Sequence, residues 1–408
     1  MQAPLKVLFL TSSYPRSGDD SASVFLRYLA DALANRNIEV HVLAPSDRKA
    51  SENIEGSVTV HRFQYFPARL QNLAYGSGIM PNLARSPWLW IQVPFFLCSM
   101  TRSLIRLLRR ERPNLIHAHW IIPQGLIAVL VKHFHQTPVV TTAHGADVFA
   151  LRGRLKNRLK RLVISRSDAW TANSRATASG AGADAHLPAP HMIPMGVDVK
   201  LFAGGNREGL RSQLHADELL ILFVGRLVEK KGCQDLLQAF ALLPEVLRLR
   251  TALWIIGEGN QRRDLEDAAK NFGIDHKVRF WGAISNRRLP DFYAAADLFV
   301  APSIEASSGD TEGLGVVLLE AFAGRACVVA TRTGGISSVV SDNVTGLLVD
   351  QRDPKALAGA MARLLLDSSL RAQLVENAYI QVTERYNWER IGEEFANLYR
   401  EVCTSPDL

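Results

Sequence analysis

Short apolar runs alternate along this chain with segments in which apolar residues return every three or four positions. Residues 6–11 form the first run, and residues 22–35 follow with Phe25, Leu29 and Leu33 at helical spacing. Further runs lie at residues 40–44, 115–119, 138–143 and 169–172. The pattern changes at Met192-Ile193-Pro194-Met195-Gly196-Val197-Asp198, read as a linker together with an irregular stretch at 203–209. A second series then begins, with runs at 219–224, 252–257, 278–281, 298–301, 326–331 and 346–349. Runs this short, separated by helices, predict parallel strands buried on both faces. The expected fold is α/β, with two doubly wound domains and a cleft between them. Ligands in such sheets bind beyond the carboxyl ends of the strands.

Composition sets bounds on this picture. With 408 residues the chain is too long for a single core. Its 47% apolar and 21% charged content fits a globular protein. Cys98, Cys233, Cys327 and Cys403 are far apart and lack metal-ligand spacing, so reduced thiols are expected. The first apolar run is too short for a secretory h-region and reads as a buried strand. No G-x-G-x-x-G follows it, which argues against a dinucleotide at that turn.

Charge is unevenly shared. Residues 1–200 hold 24 Lys and Arg against 12 Asp and Glu, a net +12; the remainder holds 23 against 28, a net −5. An anionic partner is therefore expected mainly at the first half. Two segments concentrate that charge. Residues 87–97, dense in Trp and Phe, precede five arginines in residues 101–112, and residues 152–161 hold six basic side chains. The apolar part reads as too short to span a bilayer. A core helix followed by a solvated basic turn is one reading of the first segment and a solvated helix face of the second; an anionic membrane surface is the other reading of both.

Candidate chemistry gathers at strand ends of the second half. The apolar run at 298–301 ends at Pro302, and a Ser/Gly/Asp loop leads through Glu312-Gly313-Leu314-Gly315 into a helical run from Val316 that carries Glu320. On one continuous helix, Glu312 and Glu320 would be separated by about 12 Å of rise and roughly 80° of rotation, so they cannot grip the same atoms. With Glu312 outside the helix, both can face one elongated ligand. The first-turn N–H groups near Leu314, Gly315 and Val316 can then face an anion. The run at 219–224 ends in Gly225-Arg226-Leu227, with Lys231-Gly232 just beyond. Arg226 offers a planar fork for phosphate oxygens, Lys231 a compact cation, and Gly225 a backbone turn beside the ligand. Together these suggest a diphosphate clamp.

The chain resembles the family-4 retaining glycosyltransferases of GT-B fold. The resemblance rests on Gly225-Arg226-Leu227 with Lys231-Gly232, Gly257-Glu258-Gly259, Pro302-Ser303, Glu312-Gly313-Leu314-Gly315 with Glu320, and Gly334-Gly335 before Thr345-Gly346-Leu347-Leu348. In the first half it adds Thr142-Ala143-His144-Gly145-Ala146-Asp147 and Ile193-Pro194-Met195-Gly196-Val197-Asp198. It implies that Arg226 and Lys231 hold the donor diphosphate and stabilise its growing charge. Glu320 would bind the ribose, Glu312 the donor sugar, and Gly313, Leu314, Gly315 and Val316 the phosphates. Ala283 and Ile284 would line the base through backbone atoms. His144 would reach the sugar from the opposite domain, with Asp147, Gly18 and Ser21 on the acceptor side. His117 and His119 read as structural. The implied domains are 1–195 for the acceptor, 196–380 for the donor, and a helix within 381–408 that returns to the first domain.

Two positions depart from the family's pattern. Gly18-Asp19-Asp20-Ser21 stands where a glycine pair is usual, and Ser338 where a glutamate is usual. No protein nucleophile is evident, so front-face attack by the acceptor hydroxyl is expected. The chain has no Asp-x-Asp. No metal and no cofactor are therefore expected, with basic residues and helix N–H groups in the metal's place.

The expected activity is retaining transfer of a sugar from a UDP or GDP donor to a lipid-linked or cell-surface glycan, as in exopolysaccharide and lipopolysaccharide biosynthesis. The expected setting is cytoplasmic, peripheral on an anionic inner membrane face, with no nucleic-acid partner. A nucleotide-sugar 2-epimerase of the same fold and a non-catalytic nucleotide-sugar-binding module remain as alternatives. The first would convert donor without acceptor; the second would bind nucleotide without turnover.

Overall fold

The computed structural model describes residues 4–17, 20, 23–47, 51–76, 78–182 and 187–404. They form two compact units, one of residues 1–194 with 388–408, the other of residues 195–387.

The first unit holds an eight-stranded sheet of β1 (Leu5–Leu10), β2 (Ile38–Pro45), β3 (Ser51–Glu55), β4 (Val58–Phe63), β5 (Leu115–His119), β6 (Val139–Ala143), β7 (Ala169–Ala172) and β8 (His191–Met192). Their order is β3-β4-β2-β1-β5-β6-β7-β8, parallel throughout except for β3, which runs against β4. The hydrophobic runs did not mark the β3–β4 hairpin. Val58 and Val60 alternating with Thr59 and His61 after Gly56 were its signal.

Right-handed crossovers sort the helices by the direction in which the strand order advances. Helix α1 (Val24–Ala34) joins β1 to β2 and lies on one face. On the other lie α2 (Gln92–Glu111), α3 (Leu126–His135) and α4 (Arg154–Arg166), which join β4, β5, β6 and β7; α2 packs on α3, and α3 on α4. The Pro87–Ile91 turn runs into α2, so Pro87–Glu111 is long and apolar enough to cross a membrane by length and composition, contrary to the expectation from residues 87–97 alone. Its inner stripe is nevertheless committed to the unit's own core, with Phe96, Met100, Leu104 and Leu107 buried.

The second unit holds β9 (Leu219–Val224), β10 (Thr251–Ile256), β11 (Val278–Gly282), β12 (Leu298–Ala301), β13 (Cys327–Thr331) and β14 (Leu347–Val349), all parallel, in the order β11-β10-β9-β12-β13-β14. The order reverses between β9 and β12, the switch point where a doubly wound sheet opens a ligand crevice. The stretch at 203–209 is less irregular than expected. Helix Val199–Ala203 ends there and helix Arg207–Leu214 begins, the latter capped by Asn206, whose side chain accepts from the Gly209 N–H at 2.8 Å.

Helix α5 (Val316–Ala323) buries Leu318, Leu319, Ala321 and Phe322. Helix α6 (Ser368–Arg385) stays with this unit, burying Leu374, Ala378 and Val382, while Gln381 donates to the Val339 carbonyl at 2.7 Å. The division therefore falls after Asn387 instead of after residue 380. Helix α7 (Trp388–Thr404) belongs to the first unit, where Gly392 lets it lie against Ala32 of α1 and Tyr399 donates to or accepts from His117 Nδ1 at 2.6 Å.

Candidate active site

Four strand-end loops of the second unit are woven into one cradle at the switch point. After β9 the chain turns through Gly225 and Arg226, and after β12 it runs from Pro302 to Gly315. Gly232, at φ 63°, lets these two loops touch, since a Cβ there would stand 1.9 Å from the Pro302 carbonyl oxygen. The Ile304 N–H donates to the Lys230 carbonyl at 2.8 Å, and the Ser307 N–H and hydroxyl both donate to Glu229, at 2.7 and 2.8 Å. Lys230 is buried and ion-paired with Asp310 at 3.1 Å, and it also donates to the Thr311 carbonyl. Pattern reading passed over Lys230, because one lysine of a Glu-Lys-Lys run looks like the other until the fold turns it inward.

The other two loops complete the cradle. Gly257-Glu258-Gly259, after β10, lies against the β9 loop, where the Leu227 N–H donates to the Glu258 carbonyl at 2.9 Å. After β13, the Gly335 N–H donates to the Glu312 carbonyl at 2.9 Å, and a Cβ on Gly335 would meet the Gly313 carbonyl oxygen at 1.9 Å. The glycine pair is thus needed to hold the Glu312 turn. Gly225 is not among the residues with positive φ, and a Cβ there would stand 3.3 Å from the Phe223 ring tip and 3.5 Å from Lys231, so the backbone turn does not demand a glycine but a side chain would press on Phe223.

Glu312 is 7% exposed and lies 3.1 Å from the Lys231 ammonium. Burial pushes its carboxyl upward, but the charges of Lys231, Lys230 and Arg226 outweigh that and hold it below the usual carboxylate range. Arg226 is exposed in the same loop. Gly315, at φ 83°, starts α5 just past Glu312, as expected, and leaves first-turn N–H groups at Val316 and Val317 without helical acceptors.

Glu320 sits one turn into α5, part-exposed. The Tyr293 hydroxyl donates to it at 2.7 Å. Burial raises the Glu320 carboxyl to about 7, against the lowering effects of that hydrogen bond and of Lys231. Tyr293 was not foreseen, although a buried tyrosine hydroxyl calls for a partner. Leu314 is core, Ala283 is exposed and Ile284 half-buried, the last two in the loop after β11 whose Gly282 carbonyl accepts from the Gly257 N–H at 2.8 Å.

In the first unit, His144 follows β6. Its ring faces His119, Nε2 to Nδ1 at 3.1 Å, and the Asn173 side chain donates to its carbonyl at 3.1 Å. Burial lowers His144 to about 3, so the ring is neutral at physiological pH. Asp147 is buried and accepts from the N–H groups of Ile121 at 2.7 Å and of His144 and Gly145, each at 3.1 Å. What the fold shows for Asp147 is an organiser of the His144 loop; it was expected on the acceptor side. His117 bonds Tyr399 and, at 2.6 Å, Thr142, as a structural histidine should. Gly18 and Ser21 lie outside the described residues.

A cradle of strand-end loops at the switch point of the second sheet, in a chain built of two doubly wound sheets, fits one class of protein, and sequence comparison agrees with it. Residues 22–201 match Glycosyltransferase Family 4 and residues 207–381 match Glycosyl transferases group 1. The chain belongs to this family of retaining, nucleotide-sugar-dependent glycosyltransferases of GT-B fold. It is 30% identical to the D-inositol 3-phosphate glycosyltransferase of Xylanimonas cellulosilytica, over 95% of this chain and 93% of that protein. It is 31% identical to the enzyme of the same name from Saccharomonospora viridis, over 94% and 89%. Among solved structures, sucrose-phosphate synthase from Thermosynechococcus elongatus shares the fold with a TM-score of 0.79 at 23% identity, over 98% and 99% of the chains. HepE of Anabaena, in complex with UDP-glucose, does so with a TM-score of 0.74 at 20% identity, over 97% and 100%.

Proposed function

We propose that this transferase moves a sugar from a UDP-linked donor to a lipid-linked or cell-surface glycan at the cytoplasmic face of an anionic membrane, without a metal ion. The observation that carries the donor half is the buried Glu312 paired with Lys231 at the switch point. The pair presets a cation where a diphosphate would sit beside the start of α5. As the glycosidic bond breaks, charge accumulates on the leaving diphosphate, and Arg226, Lys231 and the first-turn N–H groups oppose it. The acceptor hydroxyl attacks from the face the diphosphate leaves, and a departing phosphate oxygen takes its proton. Glu312 orients hydroxyls of the sugar and Glu320 those of the ribose. HepE was solved with UDP and glucose, which favours uracil over guanine here.

For the acceptor, the exposed Trp88, Trp90, Ile91 and Phe95 at the start of α2 favour a substrate held at a lipid surface. A small soluble acceptor is the second reading, favoured by the full-length likeness to D-inositol 3-phosphate glycosyltransferases. Thermal-shift screening of UDP, GDP and their sugars identifies the donor. Incubation of that donor with a lipid-linked glycan in detergent and, separately, with D-inositol 3-phosphate decides the acceptor. Product from the second alone refutes the lipid-linked reading. Donor consumption with neither acceptor present would instead point to epimerisation or hydrolysis.

A further inference from the structure

The two helical layers of the first unit differ in kind. Helices α2, α3 and α4 together contain eleven lysines and arginines and a single acid, Glu111. Helix α7, in the layer of α1, carries four glutamates against two arginines. The basic excess of the first half is therefore concentrated on one face of the sheet.

That face is also apolar at its surface. Helix α2 presents a single outward stripe along about 27 Å of axis. Continued from Ile91 of the preceding turn, the stripe is apolar at its start, with Ile91 61% and Phe95 52% exposed, and cationic at its end, with Arg102, Arg106 and Arg109. Trp88 and Trp90 stand exposed in the turn just before it. The arginines, with Ile105 and Arg110, line an open depression of about 450 Å³. On the next two helices of the layer, Leu130 and Phe134 of α3 and Leu155 of α4 are exposed, Phe134 by 82%. Arg110 is neutralised by Glu52 and Glu111. Arg102, Arg106, Arg109, Arg154, Lys156 and Arg158 have no carboxylate partner among the described residues.

A soluble surface that needed only charge would not expose Trp, Ile and Phe among its arginines. A polyanion such as RNA would satisfy the arginines and leave the aliphatic side chains wet. An anionic bilayer satisfies both, since aromatic and aliphatic side chains enter the headgroup boundary while cations meet lipid phosphate. We propose that the α2–α3–α4 layer lies flat on an anionic lipid bilayer, with the Trp88–Phe95 end inserted and the Arg102–Arg109 end on the phosphates. The inner stripe of α2 stays in the core, so the helix lies in the interface and does not span it. The proposal deepens the lipid-linked reading and rests on it for its purpose. Its test is separate, because it uses vesicles free of any acceptor.

Full-length protein is floated with phosphatidylcholine vesicles and with vesicles containing phosphatidylglycerol. Recovery is expected only with the latter, weakening as salt rises. Arg102→Glu/Arg106→Glu/Arg109→Glu is expected to lower partitioning by on the order of a hundredfold. Trp90→Ser/Phe95→Ser is expected to lower it at high salt, where the electrostatic share is screened. Glu393→Lys/Glu394→Lys on α7 is expected to leave it unchanged. A calorimetric unfolding profile and a far-UV circular dichroism spectrum like those of the unmodified protein confirm that the first unit of each variant is folded. Equal recovery with neutral vesicles, an undiminished arginine variant, or capture by RNA without capture by vesicles overturns the proposal. Loss of transfer to detergent-solubilised acceptor would count against the acceptor reading and leave the vesicle result standing.

Discussion

Buried charge governs this protein at single residues. Lys231→Ala would leave Glu312 buried with its nearest cation gone. We expect a loss of about 2–3 kcal/mol in denaturant unfolding and a fall in kcat of about a hundredfold. Because Glu312 is held below 4.5, its stabilising contribution is present above that pH and is lost as pH falls. In the Lys231→Ala protein that part of the acid dependence should flatten. Glu320 behaves oppositely. Raised from 4.5 to about 7, it favours the folded state while protonated, and the stability it contributes is lost as pH rises through that window. In the ribose-binding role proposed for Glu320 the ionised form is the better acceptor, so donor affinity by calorimetry is expected to strengthen as pH rises through about 7. Tyr293→Phe removes a hydrogen bond that lowers the Glu320 pKa, so the same curve should move to higher pH. A curve that stays in place would remove Tyr293 from the site.

At the scale of elements, the active-site cradle is a weave of strand-end loops, and glycines mark where backbones cross. Gly335→Ala puts a Cβ into the Gly313 carbonyl and must shift the turn that carries Glu312. The expected cost is about 1–3 kcal/mol in stability, with donor affinity falling by more than that unfolding loss implies. Titration of donor into the folded variant checks it. Much of this was legible beforehand. The parallel strands follow from short apolar runs, α5 from the residues after Gly315, and the pairing of Glu312 and Glu320 with a basic loop from motif order. The division of labour within Lys230-Lys231 was not. Neighbours in sequence diverge in role once Gly232 takes a positive φ and brings Pro302 against their loop.

For the molecule as a whole, the last helix matters most, because it completes the first unit after the chain has built the second. Tyr399 bonds His117 within the sheet, and Phe395 and Ile391 are fully buried. Truncation after Asn387 is expected to unfold the first unit while the second keeps its nucleotide thermal shift. Loss of both transitions together would show that the units do not fold separately.

What the chain determines unaided is local and periodic. Apolar runs dictate strands, helical spacing dictates helices, and motif order dictates the class of chemistry, because each depends on neighbours only a few positions away. Tertiary structure alone decided which lysine pairs with Glu312, which tyrosine tunes Glu320, and that eleven cations of three separate helices share one face. Those outcomes depend on strand order and burial, which join residues that lie far apart along the chain.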